Sequence, residues 1–203
     1  MSTTEFRKIL SKRLVNIFSD IENYQSPYAL SVSEPSVIIK ELTKKAAWKL
    51  SFISAGLALP PGYAAYATVL PEILLLYRVQ GHLVKDIAAL YGKEQQVTQE
   101  LLLYCLFQKS QKYFLKNIVK EFSTRTIIRP MTFHAVESLV FRISERIANR
   151  YLRHSVSKFI PFSGLVLSSG KTYVDTLAIG KRSQEIFSKE IFIDNKSDST
   201  NDA

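Results

Sequence analysis

The stretch from Leu50 to Pro71 runs 22 residues without a charged side chain, and Pro60, Pro61 and Gly62 stand in its middle. About 20 apolar residues suffice to cross a bilayer, but a spanning helix must bond every backbone group internally, and adjacent prolines break that ladder. The segment therefore predicts a helix ending near Leu57, a tight turn at the prolines and a new helix. All of it must be covered by something apolar. The protein's own core and a lipid surface both fit, and the choice between them governs the functional reading.

At 203 residues, 46% of them hydrophobic, the chain is long enough for one domain with a real core. Its mean hydropathy of +0.01 is too low for a multi-span membrane protein. Lysine and arginine number 27 against 18 acids, a net charge of +9. From Ser188 onward Lys189 and Lys196 face Glu190, Asp194, Asp198 and Asp202, so that tail contributes −2 and residues 1–187 carry +11. Such a surplus suits an anionic partner (a membrane surface, nucleic acid or an acidic protein), and equally a helical protein that is basic for solubility. Cys105 is the single cysteine, so no intrachain disulfide can form. In LLLYCLF it reads as a small buried hydrophobe. The start, MSTTEFRKILSKRLVNIF, lacks the apolar core of a secretory signal, and the cytoplasm is the expected address.

Phe6, Ile9, Leu10, Leu14, Ile17, Phe18 and Ile21 recur at helical spacing, with Arg7, Lys8, Lys12 and Arg13 mostly opposite. Residues 1–24 thus predict a basic amphipathic helix, capped by Thr3 or Thr4, that docks on its own domain or lies in a membrane interface. Residues 25–34 read as a linker, and Pro35 as the first turn of a helix. After the double proline, Tyr63–Leu70 reads as a short apolar element and Pro71 as the start of a long helix ending at Tyr91, with Gly92 as its left-handed cap. Val97 to about Phe122 continues helical, and residues 124–129 form a break or a short extended piece. Pro130 opens a helix to about Leu152 with Phe133, Val136, Val140, Ile143 and Ile147 buried. A last hairpin brings back a helix through Phe187, with Val174, Leu177, Ala178 and Ile186 inward. Its small residues Gly164, Gly170 and Gly180 allow close helix approach. Residues 188–203 read as a disordered acidic tail. The fold class expected is all-α: one domain of six to eight helices with proline- and glycine-broken apolar hairpins, and no convincing strands.

Few residues carry candidate chemistry. Glu72 aligns with Leu76, Leu83 and Leu90 on an apolar stripe, as a buried acid would. The simpler reading is a first-turn carboxylate that satisfies free N–H groups. His82, with Arg78 and Asp86 one turn away on either side, reads as a solvated ion-pair row. His134, His154 and Cys105 lack metal-site spacing, so no metal is expected. Gly164 to Thr172 mimics a phosphate-binding loop, but five residues separate its glycines where four are needed, and Pro161 occupies the would-be strand. Arg142, Arg146, Arg150 and Arg153 share a helix face that could meet lipid headgroups or an acidic partner. Nucleic acid is the weaker option, since no aromatic RNA-binding motif accompanies them.

Two stretches together resemble the EcsC family of bacterial helical proteins. The first is Ala55–Gly62, then Leu70-Pro71-Glu72, then Lys85–Gly92; the second is Lys158–Gly164, then Gly170 and Thr176–Gly180. The resemblance covers roughly residues 35–187. It implies an all-helical fold, an association with membrane or export processes and no established enzymatic activity. The chain departs from the family pattern at Glu72, where an aspartate tends to precede the proline, and at Lys171 and Thr172, where an asparagine is common. The expected function is a non-enzymatic protein at the cytoplasmic membrane face, without cofactor, using Lys12, Arg13 and the arginine row. A soluble adaptor for an acidic protein is the alternative, and an enzyme using Glu72, His82 or Lys171 ranks last.

Overall fold

The computed structural model describes residues 3–31, 34–57, 64–107, 112–156 and 163–194. Among them are seven α-helices: α1 (Thr3–Asn23), α2 (Pro35–Leu57), α3 (Ala64–Leu90), α4 (Gln99–Phe107), α5 (Lys112–Ile118), α6 (Phe133–Val156) and α7 (Ser163–Phe187). Three short strands complete the chain: β1 (Val119–Glu121), β2 (Arg125–Ile128) and β3 (Glu190–Ile193). The helical fold expected from the sequence is what forms. Pro60, Pro61, Gly62 and Pro161, the expected corners of the two hairpins, lie outside the described residues.

Helix α1 docks on its own domain, along α6 and across α3 and α4. Phe6, Leu10, Leu14, Ile17, Phe18 and Ile21 supply its buried stripe, and Arg7 reaches Asn149 of α6 at 2.6 Å. Removing about 25 cal/mol per Å² of apolar surface from water drives this docking. Helix α2 packs most extensively against α7, and α3 touches both. At the centre α4 is buried on every side from Glu100 to Phe107, so it shows no amphipathic stripe. Its one buried acid is satisfied locally: the Glu100 carboxylate accepts the Met131 backbone N–H at 2.7 Å.

Several boundaries differ from those the sequence suggests. Pro71 does not open a helix but sits inside α3, which begins at Ala64. A proline seven residues in leaves the Ala67 carbonyl without its helical donor, a cost that packing of the rest of α3, with Ile73, Leu83, Val84 and Ile87 buried, offsets. The predicted helix to Phe122 stops at Ile118 and becomes β1. The break after it is strand β2, antiparallel to β1 with Val119 opposite Ile128. The tail does not become irregular at Ser188, because β3 pairs in parallel with β2, Ile191 opposite Thr126. Buried Thr126 and Ile128 bring backbone polar groups into the interior, where β3 supplies the partners that water cannot. Helix α6 starts at Phe133, capped by the Thr132 hydroxyl at 3.3 Å from the Ala135 nitrogen, not at Pro130. Phe133 consequently falls on the exposed side, and Val174 is exposed on α7.

Gly92 behaves as expected. Its φ is 67°, its N–H donates to Ala89 O at 2.9 Å, and the Lys93 N–H donates to Ala88 O at 2.9 Å. Only glycine adopts that backbone without strain. Lys93 then turns its ammonium onto the Phe187 carbonyl at 2.7 Å, closing the C-terminus of α7.

Candidate functional site

On the outer side of the α2–α7 pair, large apolar side chains stand in solvent. Trp48 is 56% exposed, Phe52 70% and Val174 58%. Trp48 and Phe52 lie one turn apart on α2, ring centroids 5.7 Å apart, and Tyr173 of α7 meets Trp48 edge-on at 5.3 Å. At about 100° per residue, Val37, Lys44 and Lys45 share this face of α2. Lys44, Lys45, Lys49, Lys171 and Lys181 are all exposed, with Lys181 3.9 Å from Glu185. The opposite side of α2 explains the geometry: Ile39, Ala47 and Leu50 are buried, so the aromatic face must point outward. Exposed Glu41 lies on the same face by that step, so the aromatic surface carries one acid among its lysines and still combines apolar area with long-stemmed cations, the pairing that suits a wet, anionic, partly apolar boundary.

Beneath this face runs a polar seam. The Ser51 hydroxyl donates to the Ser169 carbonyl at 3.0 Å, and the Ser54 and Thr172 hydroxyls are 3.3 Å apart. Gln80 Nε2 donates to Thr176 Oγ1 at 3.0 Å, and Thr176 donates to the Thr172 carbonyl at 2.8 Å. Glu72 enters from α3 only 6% exposed. Since Pro71 lies inside α3, Glu72 is not a first-turn carboxylate, and the simpler reading of it is corrected. Burial raises its pKa, and a hydrogen bond with Ser54 partly opposes the rise.

The sign of that shift gives a stability prediction. A carboxyl raised in the folded state costs nothing below its ordinary value of 4.5 and destabilises progressively as pH climbs from there to the folded value. Glu72→Gln is therefore expected to match the wild type at pH 4 and to melt higher at pH 8. The gain is about 2–4 °C for each kcal/mol of ionisation cost removed. Parallel melting curves at all pH values would contradict the assignment.

His82 and Asp86 form a separate cluster, not the solvated row that the sequence suggests. The Tyr24 ring stacks on His82 with centroids 3.9 Å apart. Asp86 accepts hydrogen bonds from Tyr24 Oη at 3.1 Å and Ser26 Oγ at 2.7 Å. Burial lowers the His82 pKa and raises that of Asp86. Burial, then Asp86, push Tyr24 up to about 12. Lys85, buried beside them, donates to the Glu22 carbonyl at 3.1 Å and so closes the end of α1. These residues hold the α1–α2 connection onto α3. Glu72 and His82 are ten residues apart on α3, about 15 Å along its axis, and Lys171 is exposed, so the three do not converge.

Lys12 and Arg13 are exposed on α1, and Arg142 and Arg146 on α6. The side chains of Arg150 and Arg153 lie outside the described residues. Of the small residues, Gly180 does admit close approach, since a Cβ there would sit 2.9 Å from Thr43 Cβ. Gly170 has nothing within 4 Å, and Gly164 is in the first turn of α7. Among the described residues no group of His, Cys, Asp and Glu could hold a metal ion, and no helix is long and apolar enough to cross a membrane. Sequence reasoning missed the Trp48–Phe52 face. The available signal was a tryptophan and a phenylalanine four residues apart among Lys44, Lys45 and Lys49. Comparison of the chain with protein-family models, curated proteins and solved structures finds no match in any of the three.

Proposed function

We propose that this protein is a non-enzymatic, EcsC-like helical protein that binds the cytoplasmic face of an anionic membrane and serves a transport or export process. The observation that carries this reading is the solvent-facing Trp48–Phe52 pair amid exposed lysines. Aromatic side chains settle at the headgroup level, and each nearby lysine adds about 1 kcal/mol of attraction to an anionic leaflet. Lys12, Arg13, Arg142 and Arg146 supply further positive charge around the molecule.

Trp48 is the single tryptophan, so emission excited at the red edge, where the ten tyrosines do not absorb, reports on this face alone. Vesicles of phosphatidylglycerol and phosphatidylcholine at low salt are expected to shift its emission to the blue, and 0.5 M salt is expected to weaken the shift. Unchanged emission together with failure to co-float would end the lipid reading. The adaptor reading draws on a different observation: Leu50, Ser51 and Ser54 of the apolar stretch, and Ile73 just beyond it, are covered by the protein itself. Its mark would be a Trp48 shift on an acidic polypeptide but none on vesicles.

A further inference from the structure

A cleft of about 460 Å³ separates the second half of α1 from the middle of α3. That volume lies in the range of small-molecule sites. Its origin is in the packing of the two helices, which run in the same direction: Asp20 meets Arg78 and Ile21 meets Gly81, whereas Arg13 and Pro71, both earlier in their helices, share the cleft. At one end Gly81 of α3 lies against Ile21 of α1, so closely that a Cβ would sit 3.2 Å from Ile21 Cγ1 and nearer still to Cδ1. The missing side chain lets the backbones meet there. Six to ten residues earlier on α3, about 9–15 Å away, Leu75, Leu74 and Pro71 have no glycine opposite and hold the helices apart.

The walls of the cleft are chemically divided. Arg13 and Asn16 of α1 and Arg78 of α3 provide polar donors, whereas Ile17, Leu74 and Leu75 provide an apolar surface. Arg78 is 3.5 Å from Asp20, but both side chains are largely exposed, so this ion pair is weak and exchangeable. Guanidinium groups bind carboxylate and phosphate through two parallel hydrogen bonds.

We infer that this cleft binds a single-chain anionic amphiphile. Its carboxylate or phosphate head lies between Arg13 and Arg78, and its alkyl chain rests on Ile17, Leu74 and Leu75. The site shares no residue with the Trp48–Phe52 face and stands whether or not that face meets lipid.

The test uses the full chain and 11-(dansylamino)undecanoate below its micellar concentration. Saturable binding with a rise in dansyl fluorescence is expected, with displacement by dodecanoate or dodecyl phosphate. Whichever competes better identifies the natural head group. Dodecyl maltoside and inorganic phosphate should each displace at least tenfold less well. Arg13→Ala combined with Arg78→Ala should weaken binding at least tenfold, and Leu75→Asp should do the same from the apolar side, each with an unchanged melting curve. Trp48→Ser with Phe52→Ser should leave the affinity within twofold. The inference is overturned if the neutral amphiphile or phosphate alone competes equally, if binding does not saturate, or if the arginine variant binds as the wild type does. It is also overturned if the loss follows Trp48 and Phe52 instead.

Discussion

Gly180→Leu is expected to leave this protein unable to close its most extensively packed helix pair, lowering stability by more than about 3 kcal/mol. A native domain holds only about 5–15 kcal/mol in reserve, so a substantial unfolded population should appear at 37 °C. The cause is local. A Cβ at position 180 would sit 2.9 Å from Thr43 Cβ and still closer to Thr43 Oγ1 and Cγ2, on the helix that α7 packs against most extensively. Neither backbone can yield without losing contacts along the pair, and a four-carbon side chain has no other exit.

Thr43 offers an internal control. Its hydroxyl oxygen is buried with no hydrogen-bond partner, so Thr43→Ala removes an unsatisfied group and opens space at once. The double variant Thr43→Ala/Gly180→Ala should therefore be more stable than the sum of the two single changes predicts, with a coupling of roughly 0.5–3 kcal/mol. Urea unfolding followed by circular dichroism measures both. Gly180→Leu within about 1 kcal/mol of wild type would show that α2 and α7 do not meet as described.

Trp48→Ser with Phe52→Ser carries the second large effect, on binding and not on folding. Fully burying a large apolar side chain is worth about 1.5–3 kcal/mol, and the two rings are already partly covered by each other and by Tyr173. Taking roughly 1.5 kcal/mol for each, the double variant should lose about 3 kcal/mol of partitioning free energy, a factor near 100 in vesicle affinity. Its melting temperature should stay level or rise, because removing exposed apolar surface costs the fold little. Co-flotation against vesicle concentration reads the affinity. If the variant floats as the wild type does, lipid contact lies elsewhere, and Arg142→Glu with Arg146→Glu becomes the informative comparison.

Long periodic segments were the most legible part of the chain. The spacing of Phe6, Leu10, Leu14, Ile17 and Ile21 places one helix and its buried face, and the structure buries those side chains. Gly92 was legible for a different reason: a positive φ of 67° is a local requirement that residue type alone can signal. Pro71 misled, because proline is a good first-turn residue in isolation but is tolerated inside a helix that is held by packing elsewhere along its length. Residues 119–121 and 190–193 misled because three- and four-residue strands carry almost no periodic signal, whereas 124–129, read as a break or short extended piece, does hold β2. Glu72 was legible as a residue on an apolar stripe, but its burial depended on where α3 begins.

The amino-acid order by itself determined a mainly helical chain, the buried stripe of α1 and the cap at Gly92. Each of these follows from side-chain chemistry within a few turns of backbone. Only the tertiary structure decided that Trp48 and Phe52 face outward, that Glu72 faces Ser54, that β3 returns to β2 and that α1 and α3 part beside Arg13. Those outcomes depend on which neighbour covers a given face. A helix records that it has an apolar side, but the identity of the surface laid against it is settled by segments far away in the chain.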